Sequence, residues 1–402
     1  MKSKYLKFPA LVTLLLLANV CEEPDYPASL FDPDYVSDPQ PVIHSITPPD
    51  SCWAGVGEIT IQGENFDPSV FNNLVSFGIA QAEVISASAS VLVIKTPAIS
   101  GDSLAVRVAV LGSELYNDPV HYRLLPSVIT YTALDAQPYG LDIDAEENIY
   151  ISTEDKNIMV VGTDGKANVF SSVFFTKAPG LKFGTGGSLF AAWDAGRVKG
   201  MSIIDMDVIV LDSAYASLGK KPADLDFDQY GYMWVGAETE LIRIDPDATV
   251  TTIDTYPVNI QSVRVYNDAL YVVGSGTSDM KIWSSAINAD GSLGTRSVVL
   301  DIAGASWLEG ATVYAITFDS DGDMYLGTDH PTSPLFVYNE TSGDYAQFYP
   351  GLISGTAYRL SWGNGSHLYV SNQKSTGGFL LKIDVQQNLV RQTTAPYYGR
   401  EL

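Results

Sequence analysis

Residues 138–153, PYGLDIDAEENIYIST, contain the pattern that decides the fold of this chain. An apolar–polar alternation is anchored at Leu141, and a second alternating segment places an aromatic residue, Tyr150, nine positions later. Related stretches occur at 222–237 (PADLDFDQYGYMWVGA) and 314–328 (YAITFDSDGDMYLGT). A repeat period in the forties is typical of propeller blades. Six copies can be recognised by their apolar anchors, which are Leu141, Leu181, Leu225, Val263, Ile316 and Leu360.

Each copy contains four short alternating segments, and turns such as Asp164-Gly165 and Asp245-Pro246 suit antiparallel hairpins. Six such copies predict a six-bladed β-propeller over residues 126–402. Its blade motif resembles that of NHL-type and gluconolactonase-like propellers, although the second and fourth copies are degenerate. Two segments compete to complete the last blade, SVITYTALD (127–135) and LVRQTTA (389–395), and the sequence leaves that choice open.

Residues 42–125 carry six alternating segments separated by turn residues, at 42–48, 58–66, 73–78, 82–97, 104–112 and 121–125. This tight spacing without a helical period predicts a small all-β sandwich. The opening PVIHSITPPDSCWAGVGEITIQGENF (41–66), followed by Val75, Phe77, Gly78 and Tyr122, resembles the IPT/TIG family of immunoglobulin-like domains. The resemblance implies a spacer or interaction module with no catalytic residues. The predicted fold class is therefore all-β, an immunoglobulin-like sandwich followed by a six-bladed β-propeller.

The first 41 residues predict export rather than structure. Lysines in residues 1–7 precede an apolar run at 8–17, which is typical of a signal peptide and too short to span a membrane. Residues 1–20 resemble a bacterial lipoprotein signal, which would make Cys21 the lipidated first residue. The alternative is ordinary secretion with Cys21 paired to Cys52. Residues 21–41, rich in Pro and Asp, predict a semi-rigid tether.

These features predict an exported cell-envelope protein, an outer-membrane or surface lipoprotein held to the membrane by its lipid anchor only. The net charge of −24 argues against nucleic acid as a partner, because binding phosphate polyanions needs clustered Lys and Arg.

One polar position on the innermost strands gives the first candidate site. Four successive blades alternate acid and base there, and Thr317 and Ser361 complete the ring. The charges can form a structural ion-pair belt or contact a ligand in the channel, and both readings stay open. The four charged members are Asp142, Lys182, Asp226 and Arg264.

Three tyrosines give the second candidate site. Tyr139, Tyr314 and Tyr358 each lie two residues before an anchor, so we expect them at one mouth of the channel. Aromatic rings there suit stacking on a sugar or another flat ligand. Arg359 and Asp224 lie beside this rim and are expected to supply polar contacts.

Catalytic and metal signals are weak. Asp319, Asp321 and Asp323 imitate the start of a calcium loop, but the required Gly is misplaced and His330 replaces the closing Glu. His330 and His367 are the two histidines of the predicted propeller, and neither belongs to a nucleophile constellation. Gluconolactonase-like enzymes hold a divalent metal with channel carboxylates and Asn, and no matching set is present. We expect no cofactor and no catalytic residues.

The leading hypothesis is a non-catalytic envelope protein whose propeller binds a glycan or a surface protein, with the sandwich as spacer. The alternatives are a hydrolase or lyase acting in the propeller channel, as in gluconolactonase-like proteins, and a purely structural envelope component.

Overall fold

A computed structural model describes residues 34–184, 187–205, 210–276, 279–363 and 366–385. The predicted signal peptide, Cys21 and most of the tether lie outside these residues. The chain is all-β, with an N-terminal sandwich and a six-bladed propeller. Among the described residues, no helix has the length and apolar character needed to cross a membrane.

The sandwich contains eight strands and one short 3₁₀ helix, Val70–Asn72. Its strands are β1 (Val42–Thr47), β2 (Ser51–Trp53), β3 (Glu58–Glu64), β4 (Asn73–Phe77), β5 (Ala80–Ala87), β6 (Val91–Lys95), β7 (Gly101–Val110) and β8 (Val120–Leu125). They pair in the order β1-β3-β6-β5-β4-β7-β8-β2. Strand β5 joins the two halves, because one end pairs with β4 and the other with β6.

Two details of the sandwich differ from the sequence prediction. The segment 82–97 contains two strands rather than one, because the chain turns at Ser88, whose hydroxyl accepts the N–H of Val91 at 3.0 Å. Strand β2 was not predicted, since three residues are too few to show alternation. Cys52 of β2 is buried in the sandwich core without a disulfide partner among the described residues, and its Sγ lies 3.8 Å from the carbonyl oxygen of Glu58. Burial raises the pKa of this thiol.

Each propeller blade is a four-stranded antiparallel sheet. Strand β9 (Val128–Leu134) comes first in the chain but belongs to the last blade. Blades 1 to 3 follow, formed by β10 (Pro138–Ile143), β11 (Ile149–Thr153), β12 (Asn157–Val161) and β13 (Ala167–Ser172); β14 (Gly180–Phe183), β15 (Leu189–Ala195), β16 (Val198–Asp205) and β17 (Val210–Ser217); and β18 (Pro222–Phe227), β19 (Met233–Ala237), β20 (Glu240–Ile244) and β21 (Val250–Thr255).

Blades 4 to 6 are built in the same way, with a 3₁₀ helix at Ser306–Leu308 between blades 4 and 5. Their strands are β22 (Asn259–Tyr266), β23 (Ala269–Ser275), β24 (Lys281–Ala286) and β25 (Ser297–Asp301); β26 (Val313–Phe318), β27 (Asp323–Thr328), β28 (Leu335–Asn339) and β29 (Tyr345–Gln347); and β30 (Thr356–Trp362), β31 (His367–Lys374) and β32 (Gly377–Asp384).

Strand β9 closes the ring. It pairs antiparallel with β32, from Val128 opposite Ile383 to Leu134 opposite Gly378, and so becomes the outer strand of blade 6. Of the two segments that competed for this position, 127–135 therefore occupies it, and 389–395 lies outside the described residues. The closure joins the two ends of the propeller through backbone hydrogen bonds within blade 6. Blades 6 and 1, which meet where the ring closes, therefore each have a neighbour on both sides.

A carboxylate three residues after the anchor explains the fixed aromatic offset. In blade 3, Asp228 accepts the N–H groups of Tyr230 and Tyr232 at 2.9 and 3.0 Å, and the indole N–H of Trp234 at 2.8 Å. Asp144 and Asp319 hold the equivalent turns of blades 1 and 5 and accept the hydroxyl groups of their own tyrosines. The calcium-like run that begins at Asp319 is therefore a hairpin turn.

The sandwich rests against blades 5 and 6. The hydroxyl of Ser127 donates to the carbonyl oxygen of Ala54 at 2.7 Å, and Val56 packs against the apolar cluster of these blades. Gly55 has a φ of +75°, and a Cβ there would lie 2.9 Å from Leu352 Cδ2. The close approach of the two domains at this point therefore requires glycine.

Candidate functional site

The charged belt of the inner strands links neighbouring blades. Asp142 of blade 1 accepts the N–H of Phe183 in blade 2 at 2.8 Å and the hydroxyl of Ser361 in blade 6 at 3.0 Å. Lys182 Nζ lies 3.5 Å from the same carboxylate. All of these side chains are buried, so their charges are compensated within the ring.

Blades 3 to 5 are linked in the same way. Asp226 accepts the N–H of Val265 at 2.8 Å, and Arg264 Nη1 lies 3.5 Å from the Asp226 carboxylate. Arg264 in turn donates through Nε to the carbonyl oxygen of Ile316 in blade 5 at 3.0 Å. The four predicted channel charges thus hold blades together, and a ligand could use them only by competing with these bonds.

Arg359 occupies the axis of the channel. Its guanidinium donates to one backbone carbonyl oxygen in each of five blades. These oxygens belong to the residue two positions before the anchor of each blade, and together they encircle the axis. The distances are 3.0 Å to Pro179, 2.6 Å to Tyr314, 2.8 Å to Tyr358 and 3.4 Å to Gln261. The remaining bond goes to Ala223. The five guanidinium N–H donors match these five acceptors.

Asp224 compensates the charge of Arg359. Its Oδ1 lies 3.6 Å from Arg359 Nε, and its Oδ2 accepts the hydroxyl of Ser262 at 2.7 Å. Both Arg359 and Asp224 are buried. The structure therefore places the two residues beneath the rim, where they close the channel, rather than on the surface that the sequence analysis expected them to share with a ligand.

The three tyrosines do come together at one mouth. The ring of Tyr358 lies 5.1 Å from that of Tyr139, edge to face, and 5.4 Å from that of Tyr314. All three are partly exposed. Arg359 lies beneath them, with its Cζ 4.6 Å from the centre of the Tyr358 ring. We call this cluster of three rings the tyrosine mouth.

Charged groups flank the tyrosine mouth on two sides. Lys177 Nζ lies 3.9 Å from the centre of the Tyr139 ring, and Asp329 accepts the hydroxyl of Tyr314 at 3.3 Å. Burial, followed by the Asp329 charge, raises the pKa of the Tyr314 hydroxyl. Burial also raises the pKa of Tyr358, against the opposing effect of Arg359 and Lys177. The phenols of Tyr314 and Tyr358 therefore remain neutral hydrogen-bonding groups at physiological pH.

Sequence reasoning missed several groups near this site. Both charged groups stand at repeated positions that the sequence analysis did not use. Asp329 lies 13 residues after its anchor, as Glu154 and Glu238 do, and Lys177 lies four residues before its anchor, as Lys221 does. These carboxylates accept the backbone N–H of the residue four before the anchor in blades 1, 3 and 5. Gln137 Oε1 and Asn372 Oδ1, at the same end of blades 1 and 6, are buried and have no hydrogen-bond partner among the described residues. An ordered water or a ligand group is the usual partner of such atoms.

The other candidate sites, those for a metal ion and for the two histidines, do not bring catalytic groups together among the described residues. In the described part of the chain, no group of three or more His, Cys, Asp and Glu is arranged to hold a metal ion. His330 packs edge-on against Phe336, and His367 lies 3.5 Å from Glu147 and 3.7 Å from Asp384. A cavity of about 560 Å³ at the domain junction is lined by Val56 and Lys95 of the sandwich and by residues of blade 5.

Comparison with known proteins confirms the N-terminal domain. The family model of the IPT/TIG domain matches residues 41–123. This is the region assigned from the sequence, and it leaves the propeller outside the match. No match was found among curated proteins.

Several solved structures resemble the fold of this chain. Two auxiliary nutrient binding proteins, from Bacteroides ovatus and Bacteroides thetaiotaomicron, are each 13% identical and each cover 88% of this chain; 99% and 98% of their own chains are covered, with TM-scores of 0.51 and 0.52. A gluconolactonase from Xanthomonas campestris is 16% identical, with 64% of this chain and 89% of its own covered and a TM-score of 0.52. At these identities the likeness shows the fold alone.

Proposed function

We propose that this chain is a non-catalytic binding protein of the cell envelope, which holds a glycan at the tyrosine mouth and uses the sandwich as a spacer. The observation that carries the proposal is the position of Arg359. Its guanidinium blocks the channel on the axis, and its N–H donors are bonded to backbone carbonyl oxygens. A ligand therefore rests on the mouth instead of entering the channel.

The tyrosine mouth suits a saccharide. Partly exposed aromatic rings stack on the C–H faces of sugars, and the phenol hydroxyls, Lys177 and Asp329 supply hydrogen bonds at the edge. The nutrient-binding role of the two Bacteroides neighbours agrees with this chemistry. A nutrient-binding role is also in keeping with an envelope location, which the predicted lipoprotein signal would provide.

The gluconolactonase-like alternative needs an open channel with metal-binding side chains. The buried belt instead joins Asp142 to Lys182 and Asp226 to Arg264, and a guanidinium lies on the axis. These contacts favour binding over channel chemistry.

Titration with a panel of oligosaccharides, followed by calorimetry, tests the proposal. We expect binding by the native chain and a loss of about tenfold or more in affinity for Tyr358→Ala, because the central ring of the mouth is removed. Tyr230→Ala, which removes an exposed ring from a blade 3 turn, is the matched control and should bind normally. Equal weakening in both variants would contradict the site, and lactone hydrolysis that depends on an added divalent ion would favour the enzyme.

A further inference from the structure

Exposed apolar side chains collect at one end of the sandwich. We call this surface the distal tip and define it by Val36, Phe71, Leu111, Leu115 and Tyr116, which are 84%, 90%, 71%, 61% and 57% exposed. A monomeric protein rarely leaves so many large apolar side chains together in water, and such patches usually mark an interaction surface.

Hydrogen bonds show that the members of the distal tip form one surface. The N–H of Leu111 donates to the carbonyl oxygen of Asn72, next to Phe71, at 2.9 Å. The segment before β1 lies against the same loop, because the N–H of Glu114 donates to the Ser37 hydroxyl at 3.0 Å. Arg107 Cζ lies 6.0 Å from the centre of the Tyr116 ring. The tip is therefore built by three segments that hold one another in place.

The distal tip lies at the end of the sandwich away from the propeller. Strand β7 begins at Gly101, beside the junction residues Ala98 and Ser100, and ends at Val110, directly before Leu111. Ten residues of strand span about 33 Å. The propeller mouth and the distal tip are thus well separated.

The chain also enters the fold at the distal tip. Thirty-three residues precede Asp34, and the predicted lipidation site Cys21 is 13 residues away from it. An extended segment of that length reaches at most about 45 Å. A chain anchored at Cys21 is therefore attached to the membrane through the distal tip, and the propeller lies a further sandwich length away from the anchor.

From this arrangement we infer that the distal tip docks onto a lipid bilayer surface. Phe71 and Leu111 enter the region between headgroups and acyl chains, while Tyr116 suits the interface through its polar hydroxyl. The segments that build the tip carry the carboxylates of Asp38, Glu114 and Asp118 as well as Arg107. The net charge of these four side chains is negative, so the surface prefers uncharged or zwitterionic headgroups to anionic ones.

Co-sedimentation with phosphatidylcholine vesicles tests this inference, using the chain from Glu22 to Leu402 with Cys21 absent so that no acyl anchor contributes. The native surface should partition onto the vesicles. The double variant Phe71→Ser/Leu111→Ser should bind about tenfold more weakly or worse, because two apolar side chains no longer leave water. Ile79→Ser/Val169→Ser removes two exposed apolar side chains elsewhere, with exposures of 102% and 56%, and should bind as the native chain does.

Further arms make the result decisive. Adding phosphatidylglycerol at low salt should weaken binding, since the carboxylates repel it. Failure of the native chain to bind either vesicle overturns the inference, as does an equal loss in the control variant. A native chain that self-associates through the tip, detected as a fall in molar mass for Phe71→Ser/Leu111→Ser, would assign the surface to a second copy instead. Vesicle binding needs no glycan, so this test is independent of the tyrosine mouth.

Discussion

At the scale of single residues, Arg359 has the largest structural role among the channel side chains. One side chain joins five blades and Asp224, so its removal leaves several buried acceptors unsatisfied and takes a counter-charge away from the buried Asp224 carboxylate. We expect Arg359→Met to lower the free energy of unfolding by about 3–5 kcal/mol, the usual cost of breaking a buried ion pair. Urea denaturation measures this change.

A surface pair supplies the control for Arg359. Arg123 Nε lies 3.0 Å from Asp102 Oδ1, and both side chains are more than half exposed. Arg123→Met should therefore cost at most about 1 kcal/mol. Equal losses in the two variants would show that Arg359 does not join the blades as its contacts indicate.

A second residue-scale prediction concerns Asp228 and pH. Burial raises the pKa of this carboxyl, and hydrogen bonds from Trp234 and from backbone N–H groups only partly oppose the shift. Because the folded state then binds the proton more tightly than the unfolded state, this group's contribution to stability falls as pH rises through the interval between the two pKa values.

Asp228→Asn cannot ionise, so its stability relative to the native chain should rise as pH increases from about 3 to about 6. Urea denaturation of both proteins across this range measures the difference between their free energies of unfolding. Asp247→Asn is the control, because hydrogen bonding from Thr249 lowers the pKa of that exposed carboxyl, and its free energy of unfolding relative to the native chain should not rise. A constant difference between Asp228→Asn and the native chain would be evidence against the pKa shift.

At the scale of elements, β9 is the strand on which the ring depends. Leu134 is buried in the cluster between blades 6 and 1, together with Leu141 and Leu380. We expect Leu134→Ala to lower the free energy of unfolding by about 2–5 kcal/mol, because it leaves a cavity at the closure. Hydrogen exchange should show the amides of β9 and β32 losing protection before those of blade 3.

Val169 provides the comparison for the closure. It is exposed on β13, the outer strand of blade 1, so Val169→Ala should change stability by no more than about 0.5 kcal/mol. Uniform loss of protection over all blades in Leu134→Ala would mean that the ring opens as one unit and that β9 has no special role.

At the scale of the whole molecule, the junction between the domains sets how the propeller is held. Val56 reaches from the sandwich into the apolar cluster of blades 5 and 6. Val56→Ser should weaken this contact by about 1–2 kcal/mol and speed proteolysis between Leu125 and Ser127, while both domains keep their own melting transitions.

Val42→Ser, on the outer edge of the sandwich, is the control for the junction and should leave the cleavage rate unchanged. Unchanged cleavage in Val56→Ser as well would mean that the link through Ser127 and Ala54 is sufficient to hold the two domains together.

The sequence by itself determined the two domains, the six blades and the hairpin turns, because these depend on local periodicity and on residues three to nine positions apart. Its anchors are all buried, and the IPT/TIG motif was specific enough to be confirmed by the family match over residues 41–123. It also placed three tyrosines at one mouth, since equivalent positions of a repeat lie at the same end of a closed ring.

Only the tertiary structure decided which strand closes the ring and what the buried charges do. Arg359 and Pro179 are 180 residues apart, and Tyr139 and Tyr358 are brought together across the seam between the first and last blades. The sequence periodicity does not predict such contacts. They form only when the ring closes, and ring closure depends on the geometry of all the blades together. For the same reason the sequence assigned Arg359 to the rim, whereas its length and five donors place it on the axis, where the carbonyl oxygens of the blades converge.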